Sequence, residues 1–161
     1  RPPALAENQT AAPQNRLEVL EEYLLSLLLQ KGTAPLIKHI SSSMEVESFH
    51  NPVLRKIYER LAFFFDRGGS FSIAEFVKEL PKELISTVDR LYLFDIEIAP
   101  EKVELEIERT IRELQVLALR KQIEELTVKL KAGEAIGDDV VLTALKKQFN
   151  NLSSQLYTLT N

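Results

Sequence analysis

The sequence predicts an all-α fold in which an N-terminal multi-helix bundle is joined by a long shared helix to a C-terminal antiparallel helical hairpin. Three observations support this prediction. Apolar residues recur at three- and four-residue spacing over most of the 161 residues, as on one face of a helix. Two-residue alternation is confined to residues 94–98, so strands are not needed. Residues that favour helix starts precede most of the apolar segments.

The first elements follow a polar N-terminal segment. Residues 1–15 contain three prolines and little periodic apolar signal, a composition that predicts a flexible proline-rich linker. A first helix is predicted from about Arg16 to Gln30, ending near Gly32, and its many leucines indicate burial on nearly all sides. Pro35 is predicted to open a short helix that ends at the serine run 41–43.

Each of the next three helices has its own start signal. Asn51 and the proline after it are predicted to begin a helix that stops at the glycine pair 68–69. Ser72, with a glutamate three residues later, has the pattern of a capping box. Pro81 is predicted to begin the following helix.

A long helix opened at Pro100 changes its apolar face along its length. Its early stripe ends at Leu114 and its later stripe begins at Val116, and the stripe centres differ by roughly 140° around the axis. One continuous helix, from about residue 100 to 131, is therefore predicted to serve two cores. We expect residues 16–114 to form the bundle and residues 115–161 to form the hairpin.

The C-terminal stripes predict the two helices of the hairpin. Gly133 is expected to end the first helix, and the aspartate pair 138–139 to begin the second. Such stripes form a coiled-coil-like seam when the helices pair. The seam residues are Val116, Leu119, Ile123, Leu126 and Leu130, followed by Leu142, Leu145, Phe149, Leu152, Leu156 and Leu159. A two-helix hairpin has little room for a catalytic cleft, so we expect it to be bound by another protein.

Composition and charge exclude several classes of function. The formal net charge is −4 and the charges are interleaved, so no direct nucleic-acid binding is expected. The absence of cysteine excludes disulfides and thiolate chemistry and suits a reducing cytosolic setting. The longest apolar run, residues 23–29, is far shorter than the roughly 20 residues of a membrane span. The first residue is an arginine, which suggests the downstream part of a longer protein.

Few residues suggest catalysis or metal binding. The histidines, His39 and His50, are interpreted as partly exposed or capping residues, since catalysis or metal ligation would require positioned partners. One Glu-x-x-His pair ends at His50, whereas a di-iron site in a helical bundle needs two such pairs. The aromatic run 63–65 could in principle stack bases, but no basic residues are interleaved with it, and it is interpreted as core. We therefore predict no catalytic residue, no metal site and no cofactor, and a small helical enzyme or metal carrier would need a polar cluster that we do not find.

Some apolar residues of the predicted hairpin lie off its seam. Scattered exposed apolar side chains are normal on protein surfaces. A protruding hairpin with apolar side chains on its outside is also typical of helix-on-helix recognition. Both interpretations stay open for the candidate partner-binding residues, which are Leu117, Val128, Ile136, Val141 and Tyr157.

The middle of the chain carries a family resemblance. From Asn51 the sequence reads N-P-V-L-R-K-I-Y-E-R-L, and then F-F-D-R-G-G-S-F-S-I-A-E-F-V-K-E-L up to Leu80, followed by the long glutamate-rich helix and the terminal hairpin. This order resembles the C-terminal helicase-binding domain of bacterial DnaG-type primases, in the Bacillus-like form. The resemblance covers residues 16–161, and residues 1–15 match the interdomain linker.

The resemblance implies a role in DNA replication in the bacterial cytoplasm, at the nucleoid-associated replication fork. The hairpin would dock on the N-terminal domains of the hexameric replicative helicase, and the bundle would stimulate ATP hydrolysis and unwinding. The primase zinc-binding and polymerase domains would lie upstream. The alternative is the helicase's own N-terminal oligomerisation and primase-binding domain, which residues 51–80 also resemble. The terminal hairpin, with no motor domain after it, argues against that alternative.

Overall fold

The computed structural model describes residues 13–68 and 70–161, and these residues form seven α-helices and no strand. The prediction of an all-α fold is therefore confirmed for the described part of the chain. Short 3₁₀ turns at Val46–Ser48 and Pro100–Lys102 precede the third and sixth helices. The helices are α1 (Pro13–Lys31), α2 (Ala34–Ser43), α3 (Pro52–Asp66), α4 (Ile73–Lys78), α5 (Lys82–Tyr92), α6 (Val103–Ile136) and α7 (Asp139–Thr160).

The chain divides into two compact units, with the division between Ile111 and Arg112. The sequence analysis placed this boundary three residues later, between residues 114 and 115. The first unit contains α1 to α5 and the start of α6, and the second contains the rest of α6 and α7. Helix α1 begins at Pro13, three residues before its predicted start. The remainder of the predicted linker, residues 1–12, lies outside the described residues.

The helix starts are fixed by side chains that accept backbone N–H groups. The Asn51 side chain accepts from Val53 N at 2.9 Å and from Leu54 N at 3.3 Å. The Ser72 hydroxyl accepts from the N–H of Glu75 at 3.5 Å. These contacts supply partners for amides that the first turn of a helix leaves unpaired. Both starts lie where the sequence predicted them.

Helix α1 forms the centre of the first unit. Five of its leucines have almost no exposed surface, as the burial predicted for this helix requires. At its C-terminal end the Gln30 Nε2 donates to Leu91 O at 3.2 Å and to Phe94 O at 2.7 Å. These two carbonyls lie at the end of α5, where backbone acceptors lack partners within the helix. The five leucines are Leu20, Leu24, Leu25, Leu27 and Leu28.

A cluster of phenylalanines joins α3 to α4. The ring of Phe76, which is fully buried, meets the ring of Phe64 edge-on with centroids 5.6 Å apart. Phe65 stacks on Phe71 at a centroid distance of 5.0 Å. Edge-on and offset-stacked rings are the favoured geometries of aromatic pairs. The cluster therefore holds the short helix α4 against the body of the first unit.

The second unit is an antiparallel pair formed by the end of α6 and by α7. Gly133 approaches Leu142 near the connecting turn, and residues 115–119 share a groove with residues 155–159 at the other end. Leu119 and Leu126 of α6 are buried. Helix α7 has no buried residue, and all six of its seam side chains are half-buried.

The prediction that Gly133 ends a helix is wrong. Helix α6 continues through Gly133 to Ile136, and it is Gly137, with a φ of 78°, that adopts the left-handed conformation of a helix end. Gly133 is instead buried against α7. A Cβ added there would lie 3.1 Å from Cδ2 of Leu142, so the absence of a side chain allows the two helices to approach each other.

Replacement of Gly133 by valine is expected to destabilise the second unit by about 1–3 kcal/mol, because the added methyl groups would overlap with Leu142. Gly133→Ala is the matched control. Alanine requires only a small movement of the Leu142 methyl group, and its better helix propensity offsets that cost by about 1 kcal/mol. Urea unfolding of both variants measures the difference. Equal stability of the valine and alanine variants would contradict this packing.

Candidate protein-interaction surface

The five predicted partner-binding residues are distributed over the second unit. Val128, Ile136, Val141 and Tyr157 are exposed, whereas Leu117 is half-buried. Leu117 and Val128 are eleven residues apart on α6, which places them within roughly 20° of each other around its axis. Ile136 and Val141 flank the turn into α7, and Tyr157 lies near its far end. The five residues therefore do not form one cluster.

The densest group of exposed apolar side chains surrounds the turn between α6 and α7. We call Ile136, Val140 and Val141 the apolar tip. The side chains of Ile136 and Val140 are each 81% exposed, and that of Val141 is 45% exposed. Val140 is not among the partner-binding residues predicted from sequence, although its position in the helix indicates that it is exposed. Two residues before Leu142, it points roughly 160° away from that seam residue.

The backbone of the turn is satisfied by local hydrogen bonds. Gly137 N donates to Gly133 O at 2.9 Å. The Asp138 carboxylate accepts from Val140 N at 3.2 Å and from Val141 N at 3.3 Å, which caps the start of α7 as the sequence predicted. Because these amides already have partners, the apolar tip presents side chains rather than free N–H groups. Its chemistry suits burial against an apolar partner surface.

Two segments at the opposite end of the second unit carry no charged side chain. Residues 148–161 contain no Asp, Glu, Lys or Arg, although these types make up 27% of the whole chain. Residues 114–119, at the same end of the pair, are also uncharged. A shallow groove of about 460 Å³ lies between the two segments, and Ala118, Leu119, Thr158 and Leu159 contribute to its lining. Depletion of charge is a feature of the centres of protein interfaces.

The histidines contact carboxylates in the first unit. His39 Nε2 lies 3.4 Å from Glu108 Oε1, with both side chains largely exposed. His50 Nδ1 lies 3.5 Å from Glu21 Oε2. Within residues 13–68 and 70–161, no three His, Cys, Asp or Glu side chains group closely enough to hold a metal ion.

Glu21 is a buried carboxylate that the sequence did not reveal. Its two oxygens accept from His50 N at 2.6 Å and from Asn51 N at 3.3 Å, so α1 holds the segment that leads into α3. Burial raises the pKa of Glu21, and the hydrogen bonds and the nearby His50 oppose this rise only in part. We assign Glu21 a structural role, because its carboxylate is already occupied by the main chain.

Tyr23 is a second buried titratable group of α1. Burial and the neighbouring charge of Glu106 raise the pKa of Tyr23 to about 12. At neutral pH its hydroxyl is therefore protonated and can act as a hydrogen-bond donor. Its partner, Glu106, also binds Arg109 at 2.5 Å on the outside of α6.

Comparisons with known proteins identify no relative. No protein-family model matches the chain, and neither a curated protein nor a solved structure matches it. Among the described helices, none combines the length and the apolar character needed to cross a bilayer. The interpretation of the apolar tip and of the uncharged residues 114–119 and 148–161 therefore rests on their side-chain chemistry.

Proposed function

We propose that the chain is a non-catalytic protein-interaction domain of a bacterial DNA primase. In this role it docks the primase on the N-terminal domains of the hexameric replicative helicase and stimulates helicase activity at the replication fork in the cytoplasm. The resemblance of residues 51–80 and the order of the helices support the proposal. The structural observation that carries it is the exposed apolar tip.

The apolar tip is the feature that the fold itself leaves unexplained. Transfer of a valine or isoleucine side chain from water into an apolar contact is worth about 1.5–3 kcal/mol. Ile136 and Val140 gain little of this free energy in the isolated chain, since each is 81% exposed. A partner that covers both side chains would recover it. Two paired helices that present apolar side chains at one end suit recognition by other helices.

In this proposal, the second unit binds the helicase and the first unit stimulates it. The second unit, from Arg112, contains the apolar tip that would contact the helicase. The first unit acts on the helicase only if its contacts differ between states of the helicase, because a ligand shifts an equilibrium through differential affinity. Primer synthesis would belong to upstream domains of the parent primase.

The double variant Ile136→Asp/Val140→Asp tests the tip. Its affinity for the cognate hexameric helicase should fall by roughly 30-fold or more, because the loss of even one residue at the centre of an interface costs about 2 kcal/mol or more. Isothermal titration calorimetry measures the affinity, and helicase ATPase activity in the same titration should follow occupancy. Folding should be nearly unchanged, since both side chains are exposed.

Lys146→Glu is the matched control, because it also lowers the net charge by two, at an exposed position of α7 outside the apolar tip and outside the uncharged residues 148–161. It should bind the helicase with an affinity close to that of the unmodified chain. If the tip variant and the control bind equally well, the docking surface lies elsewhere. Assembly of the chain alone into a ring would favour the alternative, in which it is the helicase's own N-terminal domain.

A further inference from the structure

The outer face of α3 combines basic side chains with an exposed aromatic ring. Lys56, Arg60, Phe63 and Arg67 follow one another at spacings of four, three and four residues, so they lie within roughly 60° around the helix axis. Arg67 directly follows the last residue of α3 in a helical conformation. We call these four residues the α3 stripe. At 1.5 Å per residue it is about 16 Å long.

The phenylalanine of the stripe does not belong to the core. Phe65 is buried and Phe64 is half-buried, but Phe63 is 64% exposed. The sequence interpretation of the whole run 63–65 as core is therefore wrong at Phe63, which lies about 160° from Phe65 around the helix axis. The guanidinium carbon of Arg67 lies 5.6 Å from the centroid of the Phe63 ring. An exposed ring and a cation are thus neighbours on this surface.

The two other cations of the stripe are available to a ligand. In the part of the chain that the structure describes, Lys56 and Arg60 are exposed and no carboxylate forms an ion pair with either. Arg67 already pairs with Glu79 at 2.5 Å. Glu59 and Asp66 are also exposed on α3, each one residue before a stripe cation. These carboxylates lower the local positive charge without covering the stripe.

A groove runs beside Phe63, between α2 and α3. It has a volume of about 690 Å³, and its lining includes Pro35, Ile37, Phe63 and Asp66. Lys38 of α2 contributes a further cation to its wall. The groove is large enough to receive a planar heterocycle stacked on the Phe63 ring. The carboxylate of Asp66 can accept a hydrogen bond from the ring N3–H of a thymine.

We propose that the α3 stripe is a contact surface for single-stranded DNA, in which Phe63 stacks on a base and Lys56, Arg60 and Lys38 contact phosphates. Surfaces that bind single strands combine cations along the backbone with aromatic rings under the bases. Charge complementarity selects an anionic ligand, and the exposed Phe63 ring beside the cations selects one that carries planar bases. The net charge of −4 opposes tight binding, so the contact is weak and salt-dependent. This inference does not rest on helicase binding.

The test uses a fluorescein-labelled oligothymidylate of about twelve nucleotides and fluorescence anisotropy. At about 20 mM salt the chain should bind with a dissociation constant on the order of 10⁻⁴ M or lower, and log affinity should fall against log salt with a slope of about −2. Phe63→Ala should weaken binding about tenfold through lost stacking. Arg60→Glu should weaken oligonucleotide binding. It should also make the slope of log affinity against log salt less steep, by the amount that corresponds to about one phosphate contact. Both positions are exposed, so the variants should unfold like the parent chain.

Lys82→Glu is the matched control, because it changes the charge equally at an exposed position of α5, off the stripe. It should retain most of the affinity for the oligonucleotide. The absence of binding, or equal losses in the Arg60 and Lys82 variants, would overturn the proposal. Tighter binding of a matching oligouridylate would overturn the choice of DNA. An acidic peptide that binds the stripe where the oligonucleotide does not would identify a different ligand class and refute the proposal.

Discussion

Phe76→Ala is expected to destabilise the first unit by about 3–5 kcal/mol. The ring of Phe76 is fully buried and contacts both Phe64 and Phe71, with centroid distances of 5.6 and 5.8 Å. Its removal leaves a cavity and takes one ring contact from each of Phe64 and Phe71, and the loss of aromatic pairing adds to the cost of the cavity. Urea denaturation followed by far-UV circular dichroism measures the change.

Phe63→Ala provides the matched control, since it makes the same substitution at an exposed position of the neighbouring helix. Surface substitutions usually change stability by less than about 0.5 kcal/mol. The Phe76 variant should therefore be the less stable of the two by several kcal/mol. Similar midpoints for the two variants would show that the ring of Phe76 is not part of a packed cluster.

Glu21→Ala is expected to cost roughly 2–4 kcal/mol. The substitution removes the acceptor for the N–H groups of His50 and Asn51, and a buried donor without a partner costs about 1–3 kcal/mol. The side chain itself has no exposed surface, so the substitution also creates a cavity. Thermal and urea unfolding measure the loss. A loss below about 0.5 kcal/mol would mean that water replaces the carboxylate without cost.

Glu21→Gln isolates the effect of the charge on pH dependence. Burial raises the pKa of Glu21 in the folded state, so the folded chain binds a proton more readily than the unfolded chain. The stabilisation that comes from binding this proton is fully present below the pKa of Glu21 in the unfolded chain. It is lost as the pH rises through the pKa of Glu21 in the folded chain. The stability of the parent chain relative to the glutamine variant should therefore fall as the pH rises from the acidic range to neutrality. A constant difference over that range would contradict the assigned shift.

Local signals allowed most helix starts to be predicted from sequence. Asn51 and Ser72 cap the helices that follow them, and each contact spans three residues or fewer. Such contacts need no tertiary information, which is why the sequence reveals them. The start of α7 at Asp138 follows the same rule. The all-α class was predictable for the related reason that apolar periodicity is a local property of the chain.

Features that depend on contacts between residues of different helices or loops could not be predicted from the sequence. Gly133 and Gly137 are both plausible helix ends by composition, but the helix ends at Gly137, and Gly133 lies inside it against Leu142. Glu21 reads as an ordinary surface glutamate, because its partners lie 29 and 30 residues away and are main-chain groups. The outward position of Phe63 was available from helical geometry.

For the candidate surface, helical spacing predicted exposed residues but not how they group in space. Ile136 and Val141 of the apolar tip were predicted, and Val140 between them was missed. Leu117, Val128 and Tyr157 lie away from the tip on other parts of the second unit. Spacing along a helix predicts which residues avoid the seam. It does not predict which of them meet at the end of two helices, because that depends on where the turn falls.

Helix α7 has no buried residue, and this affects how readily its amide hydrogens exchange with solvent. Each of its seam side chains remains half in water, so the free energy that holds α7 against α6 is small compared with that of the leucine-rich core around α1. Helix α7 should therefore open more readily than α1, and its amides should lose protection well before those of α1. In the opened state both halves of the seam are free. A helix from a binding partner could take the place of α7 along the seam of α6, which would convert a transient opening into a stable exchange of helices.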